Sequence, residues 1–378
     1  MKKIAVLGAG MVGRAIALDL AKDHNVTSID ISGTSLEILR SKNNKIDIIK
    51  TDLGDYGNYN YLLNPFDFVV TAVPGFMGYE TLEAVIKSKK NVVDISFFPE
   101  NALELDALAK ENNVTAIVDC GVAPGMSNLV LGYYNERMDV TDFEFMVGGL
   151  PKEKIKPFEY KAPFSPIDVI EEYTRPARFI EDGKLISRPA LTDAELIEFE
   201  NVGTLESFNT DGLRSILFTM PHIRNMKEKT LRYPGHIDLI KAFIKAGFFD
   251  EQKIKFTGCE ISPLEFSSRL LFKQWKLGEE EPEFTIMKIK VSGKQNGKCK
   301  SIIYDLYDEY DPETKTSSMA RTTGYTCTAA VNLLVNNLFN EKGVFPPELI
   351  GKHEQCFTFI LNYLKERNVI YKVKEILV

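Results

Sequence analysis

The clearest pattern in the chain occupies its first thirty residues. Ile4 to Leu7 form a short continuous apolar run, the mark of a buried strand, and Arg14 to Lys22 then alternate with helical period. Between them Gly8, Gly10 and Gly13 fit a G-x-G-x-x-G turn, with Met11 and Val12 inside it. A second apolar run, Val26 to Ile29, ends at Asp30. Similar runs recur at Ile46 to Ile49, Phe68 to Val73, Val92 to Ile95 and Ala116 to Val118, and helical patterns over Tyr79 to Lys87 and Asn101 to Asn112 separate the later ones. Apolar strands alternating with amphipathic helices predict an α/β fold. It is a doubly wound parallel Rossmann sheet covered on both faces, in the strand order 3-2-1-4-5-6.

Beyond Gly121 the pattern changes. Ala123 to Asn128 read as a turn into a helix over Leu129 to Arg137, and Thr141 to Val147 as a strand. Asp182-Gly183 separates the strand-like 177–181 and 184–188, and Asn296-Gly297 separates 284–292 and 299–307. Both dipeptides favour tight hairpin turns. Helical period appears at Pro166 to Tyr173 and at His236 to Phe248. The pattern predicts a second, α+β substrate domain with a mainly antiparallel sheet. Thr326 to Leu338 and Pro347 to Lys365 are amphipathic again. The expected division is a discontinuous Rossmann domain over 1–125 and 322–378, with the substrate domain over 126–321.

Composition narrows the class. A chain of 378 residues exceeds what one core usually fills, and 44% hydrophobic with 26% charged residues is ordinary for a globular protein. A net charge of −7 gives no basic footprint for nucleic acid, and no apolar run is long enough for a membrane span. The five cysteines are scattered without a Cys-x-x-Cys pair or a nearby histidine cluster, so neither a metal nor a disulfide framework is expected. The first strand takes up the N-terminus, and the expected location is the cytoplasm.

The glycines give the first unit its chemistry. In a strand–turn–helix, one glycine permits the tight turn, one lets a pyrophosphate approach the backbone, and one permits close helix–strand packing. The open N–H groups of the new helix then face the phosphates. Asp30 lies about 20 residues on, where a carboxylate accepts from a ribose 2′-hydroxyl and repels a 2′-phosphate. The expected cofactor is therefore NAD; the alternative is that Asp30 caps a turn with Ser32 and Gly33. Ligands of such sheets bind beyond the carboxyl ends of the strands. Those ends add Asp52 and Leu53 near the adenine, Ala72, Val73 and Pro74 near the nicotinamide ribose, and Asp94 and Ser96 after the fifth strand.

Hydride transfer also needs groups that orient a substrate and move protons. Arginine is the natural clamp for a carboxylate. Candidates in polar, turn-rich segments are Arg175, Arg178, Arg214, Arg232 and Arg321. Asp119, closing the last parallel strand, and His236, after Pro234-Gly235, are candidates for proton transfer. For His236 the alternative is a helix-start histidine. Cys120 is a candidate thiol, although no base can be placed beside it from sequence.

Several segments together resemble a family. They are GAGMVG at 8–13, AVPGFMG at 72–78, VDISF at 93–97, DCGVAPGMSN at 119–128, GGLP at 148–151, EYTRPAR at 172–178, DGLRS at 211–215, TLRYPGH at 230–236 and SSMARTTGYT at 317–326. In this order, over nearly the whole chain, they resemble the saccharopine dehydrogenase-like oxidoreductases, and within them the lysine 6-dehydrogenase type. The resemblance implies NAD-linked oxidation of the lysine ε-amine to an imine, which water converts to ammonia and 2-amino-6-oxohexanoate, cyclising to a piperideine carboxylate. It also implies a homodimer and a small amino-acid substrate. It places Arg232 at a substrate carboxylate and Asp119 and Ser96 at the active-site strand ends; Arg214 and Arg175, from the turn-rich segments, are the further candidate substrate contacts. The chain is shorter than typical saccharopine reductases, which disfavours saccharopine itself. Reductive condensation in the saccharopine or carboxynorspermidine manner is the alternative chemistry, and a non-catalytic NAD-binding regulator the alternative class.

Overall fold

The computed structural model describes residues 1–377 and contains two sheets. The first is parallel throughout. It comprises β1 (Lys3–Leu7), β2 (Asn25–Asp30), β3 (Asp47–Lys50), β4 (Phe68–Thr71), β5 (Asn91–Asp94), β6 (Thr115–Ile117) and, from far along the chain, β17 (Gly343–Phe345). Their spatial order is β3-β2-β1-β4-β5-β6-β17, the predicted doubly wound order with a seventh strand added beside β6. Ile4, Ala5, Val6 and Leu7 have no exposed surface, because helices cover both faces of the strand they form. Leu7 pairs with Ile29 on one side and Thr71 on the other. The strand ends are therefore level and open onto one edge.

The second sheet is built from β7 (Asp139–Pro151), β8 (Ala177–Glu181), β9 (Lys184–Arg188), β10 (Glu195–Phe199), β11 (Gly203–Asn209), β12 (Asn225–Arg232), β15 (Glu283–Gln295), β16 (Lys298–Glu309) and β18 (Tyr371–Leu377). A separate small hairpin pairs β13 (Ile254–Phe256) with β14 (Cys259–Ile261). The main path runs β10-β11-β12-β7-β15-β16-β18, antiparallel except where β12 lies parallel to β7. The two predicted hairpins turn at Asp182-Gly183 and Asn296-Gly297, each with positive φ at both residues, as a tight I′-type turn requires.

The C-terminal segment divides between the sheets. The helix Ser318–Val335 packs on the first helix, Met11–Leu20, with Gly324 close to Ala15 and Ile16, and β17 extends the parallel sheet. Tyr371–Leu377 instead pairs with β16, so the last strand of the 322–378 segment lies on the second sheet. The reason is an edge: β16 would otherwise present its unpaired backbone groups, and an extended strand satisfies them. Asp19, on the first helix, anchors this return. Its carboxylate accepts from Arg367 Nε at 2.8 Å, Tyr363 Oη at 2.8 Å and Thr328 Oγ1 at 2.7 Å. Among the described residues no helix is long and apolar enough to cross a membrane.

Burial alone would raise the carboxyl of Asp19, but Arg367 and the hydroxyl donors outweigh it and hold it below the ordinary range. A depressed carboxylate stabilises the fold above its unfolded-state pKa, and that contribution is lost as pH falls through the folded value. Asp19→Ala, which strands the Arg367 guanidinium, is expected to cost about 3–5 kcal/mol in urea unfolding at pH 7. The gap from the unaltered protein should narrow below about pH 4; a gap constant between pH 7 and pH 3 would refute this account.

Candidate active site

The level strand ends of the first sheet face the second sheet across a cavity of about 1370 Å³. At one end lies the glycine turn. Gly8 has φ +109°, and a Cβ there would stand 2.2 Å from the Ala72 carbonyl oxygen. A Cβ on Gly13 would stand 2.1 Å from the Gly8 carbonyl oxygen, whereas one on Gly10 would meet nothing within 4 Å. Two glycines thus let strand, turn and helix close on one another, and the third leaves an open approach. No side chain caps the helix Met11–Leu20, so its first N–H groups are free to meet an anion. Met11, Val12, Asp30, Asp52, Leu53, Ala72, Val73, Pro74 and Ser96 line the same cavity. This cradle fits a dinucleotide, with the pyrophosphate over Gly10 and the adenosine toward Asp30 and Leu53.

Asp30 makes the turn-capping bond of its alternative reading and also lines the cavity. Its Oδ1 accepts from Ser32 N at 2.7 Å and so caps the turn, while its Oδ2 accepts from Ala9 N at 2.6 Å. Those two bonds pin the carboxylate to the glycine turn and to the cavity wall. Lys50 extends over Gly33 beside it.

The opposite end of the cavity is dominated by carboxyl groups. Asp119, Asp168, Glu171, Glu172, Asp211 and Glu228 all line it. Four are matched by arginines: Asp119 with Arg214 at 2.8 Å, Glu171 with Arg175, Glu172 with Arg232 at 2.9 Å, and Asp211 with Arg178 at 2.8 Å. Asp168 and Glu228 have no cationic partner among the described residues. Burial, with Glu171 beside it, pushes Asp168 up to about 7 against the pull of the Ser165 hydroxyl and the Gly75 amide. Its Oδ1 is buried without a hydrogen-bond partner. Burial also pushes Glu228 up to about 8; the Thr210 hydroxyl opposes the shift, and Glu172 and Asp211 reinforce it.

Sequence reasoning missed both of these residues. Asp168 sits in the first turn of the helix Pro166–Thr174, where an acid is expected simply for the helix dipole. Glu228 sits in mid-strand, where its side of the sheet decides everything. The other candidates divide. Ser96, Asp119, Arg175 and Arg232 reach the cavity. Arg232 spends four of its five N–H groups on the protein, at Tyr173 Oη, the Leu231 carbonyl, Glu172 and Tyr160 Oη. Arg175 donates only through Nη2, to Glu171, and is the freer carboxylate clamp.

Five further nominated residues stand behind the wall or away from it instead. Arg214 is 6% exposed, donates three of its five N–H groups to Asp119 and the Phe98 carbonyl, and is not among the residues that line the cavity. Asp94 is wholly buried and accepts from Thr71 Oγ1 at 2.5 Å, because its side chain turns into the sheet rather than over its end. His236 lies beneath Arg232. Its Nδ1 donates to the Phe158 carbonyl at 2.9 Å, which leaves Nε2 to accept from Tyr173 Oη at 3.0 Å. Burial and then the Arg232 charge lower it to about 3, so it stays neutral and supports Tyr173 and Arg232 rather than moving protons. Cys120 is buried against the Thr326 carbonyl, and burial pushes its thiol well up, which leaves no thiolate. Arg321 is tied to Asp308 and Asp311 away from the cavity.

Comparison with known proteins agrees with this architecture. The saccharopine dehydrogenase NADP binding domain matches residues 4–117, and the saccharopine dehydrogenase C-terminal domain matches residues 121–370. The mitochondrial alpha-aminoadipic semialdehyde synthase of Mus musculus is 23% identical over 287 residues, covering 71% of this chain and 31% of that protein. The saccharopine dehydrogenase [NADP(+), L-glutamate-forming] of Pyricularia oryzae is 24% identical over 301 residues, covering 76% of this chain and 66% of that one. The chain thus spans less than two thirds of the length of either relative. Apo saccharopine dehydrogenase (L-Glu forming) from Saccharomyces cerevisiae shares the fold, with a TM-score of 0.80 at 18% identity over the full length of both chains. With a nicotinamide-dinucleotide domain followed by its characteristic partner domain over nearly the whole chain, the protein belongs to the saccharopine dehydrogenase family.

Proposed function

We propose that the protein is a nicotinamide-dependent amine oxidoreductase that interconverts a secondary amine and its imine on an amino-acid-derived substrate, in the saccharopine or carboxynorspermidine manner. The observation that carries this reading is a single cavity holding a dinucleotide cradle at one end and the unpaired carboxyl of Asp168 at the other. The family and its named relatives support the amine chemistry. Lysine ε-deamination, which the sequence motifs favour, is the second reading. It uses the same groups, because lysine too brings one carboxylate and an amine.

The chemistry divides among a few side chains. Arg175 holds the substrate carboxylate with its unspent N–H groups, and Arg232 contributes its remaining one. The substrate amine arrives as an ammonium, and Asp168, placed beside Gly75 at the end of β4, takes the proton. A nicotinamide held by the Gly8–Gly13 turn and the strand end at Ala72 to Pro74 would supply the hydride acceptor for the carbon bearing that nitrogen. The nitrogen lone pair forms the C=N bond as the hydride leaves. Water then adds to the carbon, and the C–N bond breaks to give a carbonyl compound and a primary amine, or ammonia where the substrate is lysine. A carboxyl raised to about 7 is tuned for this proton transfer near neutral pH.

Asp168→Asn should therefore lower kcat for amine oxidation by about 100-fold or more. It should also remove the limb of the pH–rate profile that rises through about 7. A full rate with that limb intact would clear Asp168 of the role. Product analysis separates the two readings, since the secondary-amine reaction releases a primary amine and the lysine reaction releases ammonia. Turnover of neither class by cofactor-bound protein would overturn the proposal.

We propose NAD as the cofactor on the strength of Asp30, a carboxylate held beside the glycine turn that would repel a 2′-phosphate bound there. Asp30→Ser, with Lys50 left to meet a phosphate, is expected to shift the NADP-to-NAD ratio of kcat/KM upward by at least about tenfold. An unchanged ratio, measured at low and at physiological salt, would show that another residue selects the cofactor.

A further inference from the structure

We propose that Arg14 is a ligand of the cofactor pyrophosphate and that Glu279 holds it from the other side of the cleft, as a clasp that shuts over the bound dinucleotide and gates its release. The inference rests on the cofactor cradle and holds whichever amine is the substrate.

The cradle has a cation where the phosphates go. Arg14 directly follows the last glycine of the turn and is the fourth residue of the helix Met11–Leu20. Helical side chains lean back toward the N-terminus, and this one returns far enough for Nη1 to donate to the Ala9 carbonyl at 3.1 Å, inside the glycine turn itself. The guanidinium is buried and lines the cavity with Gly8, Gly10 and Gly13. Its Nη2 donates to both oxygens of Glu279, at 2.6 and 2.7 Å, which leaves Nε–H and the second Nη1–H for a phosphate. Arg14 can therefore meet the pyrophosphate without letting go of Glu279.

Glu279 belongs to a short turn with fixed ends. Trp275 closes the helix Pro263–Trp275 with no exposed surface, and its carbonyl accepts from Ala162 N at 2.6 Å. On the far side the Pro282 carbonyl accepts from Lys152 N at 3.0 Å, just before β15. Between these anchors the turn closes on itself, with Glu281 N donating to the Gly278 carbonyl at 3.3 Å and Gly278 N to Glu281 Oε2 at 2.8 Å. The second sheet thus carries the turn, and Glu279 is the side chain it extends across to the cradle. With the pair closed the cavity still holds about 1370 Å³, above the roughly 300–1000 Å³ of small-ligand clefts, so a dinucleotide fits beneath it. Because Glu279 is 47% exposed, the closure is one that water and salt weaken. A clasp of that strength slows exchange without sealing the site. The neighbouring Glu280 is a contrast: it pairs with Lys315 at 2.7 Å, and neither lines the cavity.

Stopped-flow fluorescence on the full-length protein reads the binding and release of NADH, or of NADPH should that bind more tightly. Glu279→Gln should speed release about fivefold and binding by a similar factor, so that Kd moves by less than about twofold. The ratio of the two release rates should fall toward one as salt rises to about 0.5 M. Glu280→Gln, which removes the same charge from the same turn, should release the dinucleotide at the unaltered rate. Arg14→Gln should weaken the reduced dinucleotide and ADP-ribose alike, by about tenfold or more, because both carry the pyrophosphate. Unchanged release in Glu279→Gln would overturn the clasp. Slower release with tighter binding would overturn it too, by showing that Glu279 competes with the phosphates. ADP-ribose binding indifferent to Arg14→Gln would remove Arg14 from the pyrophosphate site. Release that follows Glu279 in a protein that turns over no amine would leave the clasp standing and overturn the catalytic reading. Binding of neither reduced dinucleotide to the unaltered protein would overturn both.

Discussion

Asp119 closes the last strand of the dinucleotide sheet, and Arg214 belongs to the loop that precedes β12 of the second sheet. Between them runs a buried ion pair, with Nε at 3.1 Å and Nη2 at 2.8 Å from the same Oδ1, and the guanidinium also meets the Phe98 carbonyl. Both side chains are about 5% exposed. Breaking such a pair by removing one partner leaves an uncompensated charge in a low-dielectric setting, so the two sheets are held at this point by a strong penalty for parting. The cavity is what remains between them. Its floor, the β7 and β12 faces, and its roof, the ends of β4 to β6, keep their spacing because this junction does. The Arg14–Glu279 contact crosses the same cavity near the cradle, but with Glu279 47% exposed it is the weaker tie.

The same accounting explains why this end of the protein is crowded with arginine yet offers little free cation. A guanidinium beside a carboxylate is largely spent, and Arg178, Arg214 and most of Arg232 are committed to holding acids in place. Arg232 is held in turn by Tyr173, which donates to His236, which donates to the Phe158 carbonyl. That buried relay pairs both histidine nitrogens and four of the five Arg232 N–H groups, and it fixes the wall of the cavity rather than titrating in it.

The dinucleotide half was legible in sequence because each of its signals has a local cause. Apolar runs make buried strands, and the glycine spacing is dictated by contacts within a single strand–turn–helix, as at Gly8 and Gly13. The substrate half was legible in its hairpins for the same reason, since Asp182-Gly183 and Asn296-Gly297 need only their own backbone conformation. Direction was the missing quantity. Asp94 ends β5 and Ser96 lies two residues on, yet one turns into the sheet and the other toward the cavity. His236 and Arg232 lie four residues apart, and the histidine packs beneath the arginine it was expected to work beside. Whether an arginine is free depends on a carboxylate distant in sequence, such as Asp119 for Arg214, and no local pattern records that.

Burial without a nearby cation raises the Asp168 carboxyl to about 7, where it can release and take up a proton near neutral pH. A permanently ionised aspartate at the position of Asp168 would carry the full desolvation cost in the empty cavity, and one open to water would titrate far below the pH at which an amine must lose its proton. Burial beside Glu171 avoids both. On the proposed reading the ammonium of the substrate supplies the charge that draws the carboxyl into its ionised form, so base and substrate become matched in the same event. The family fold provides the cradle and the cleft, and the carboxyls that no arginine matches give the cleft its acidic end.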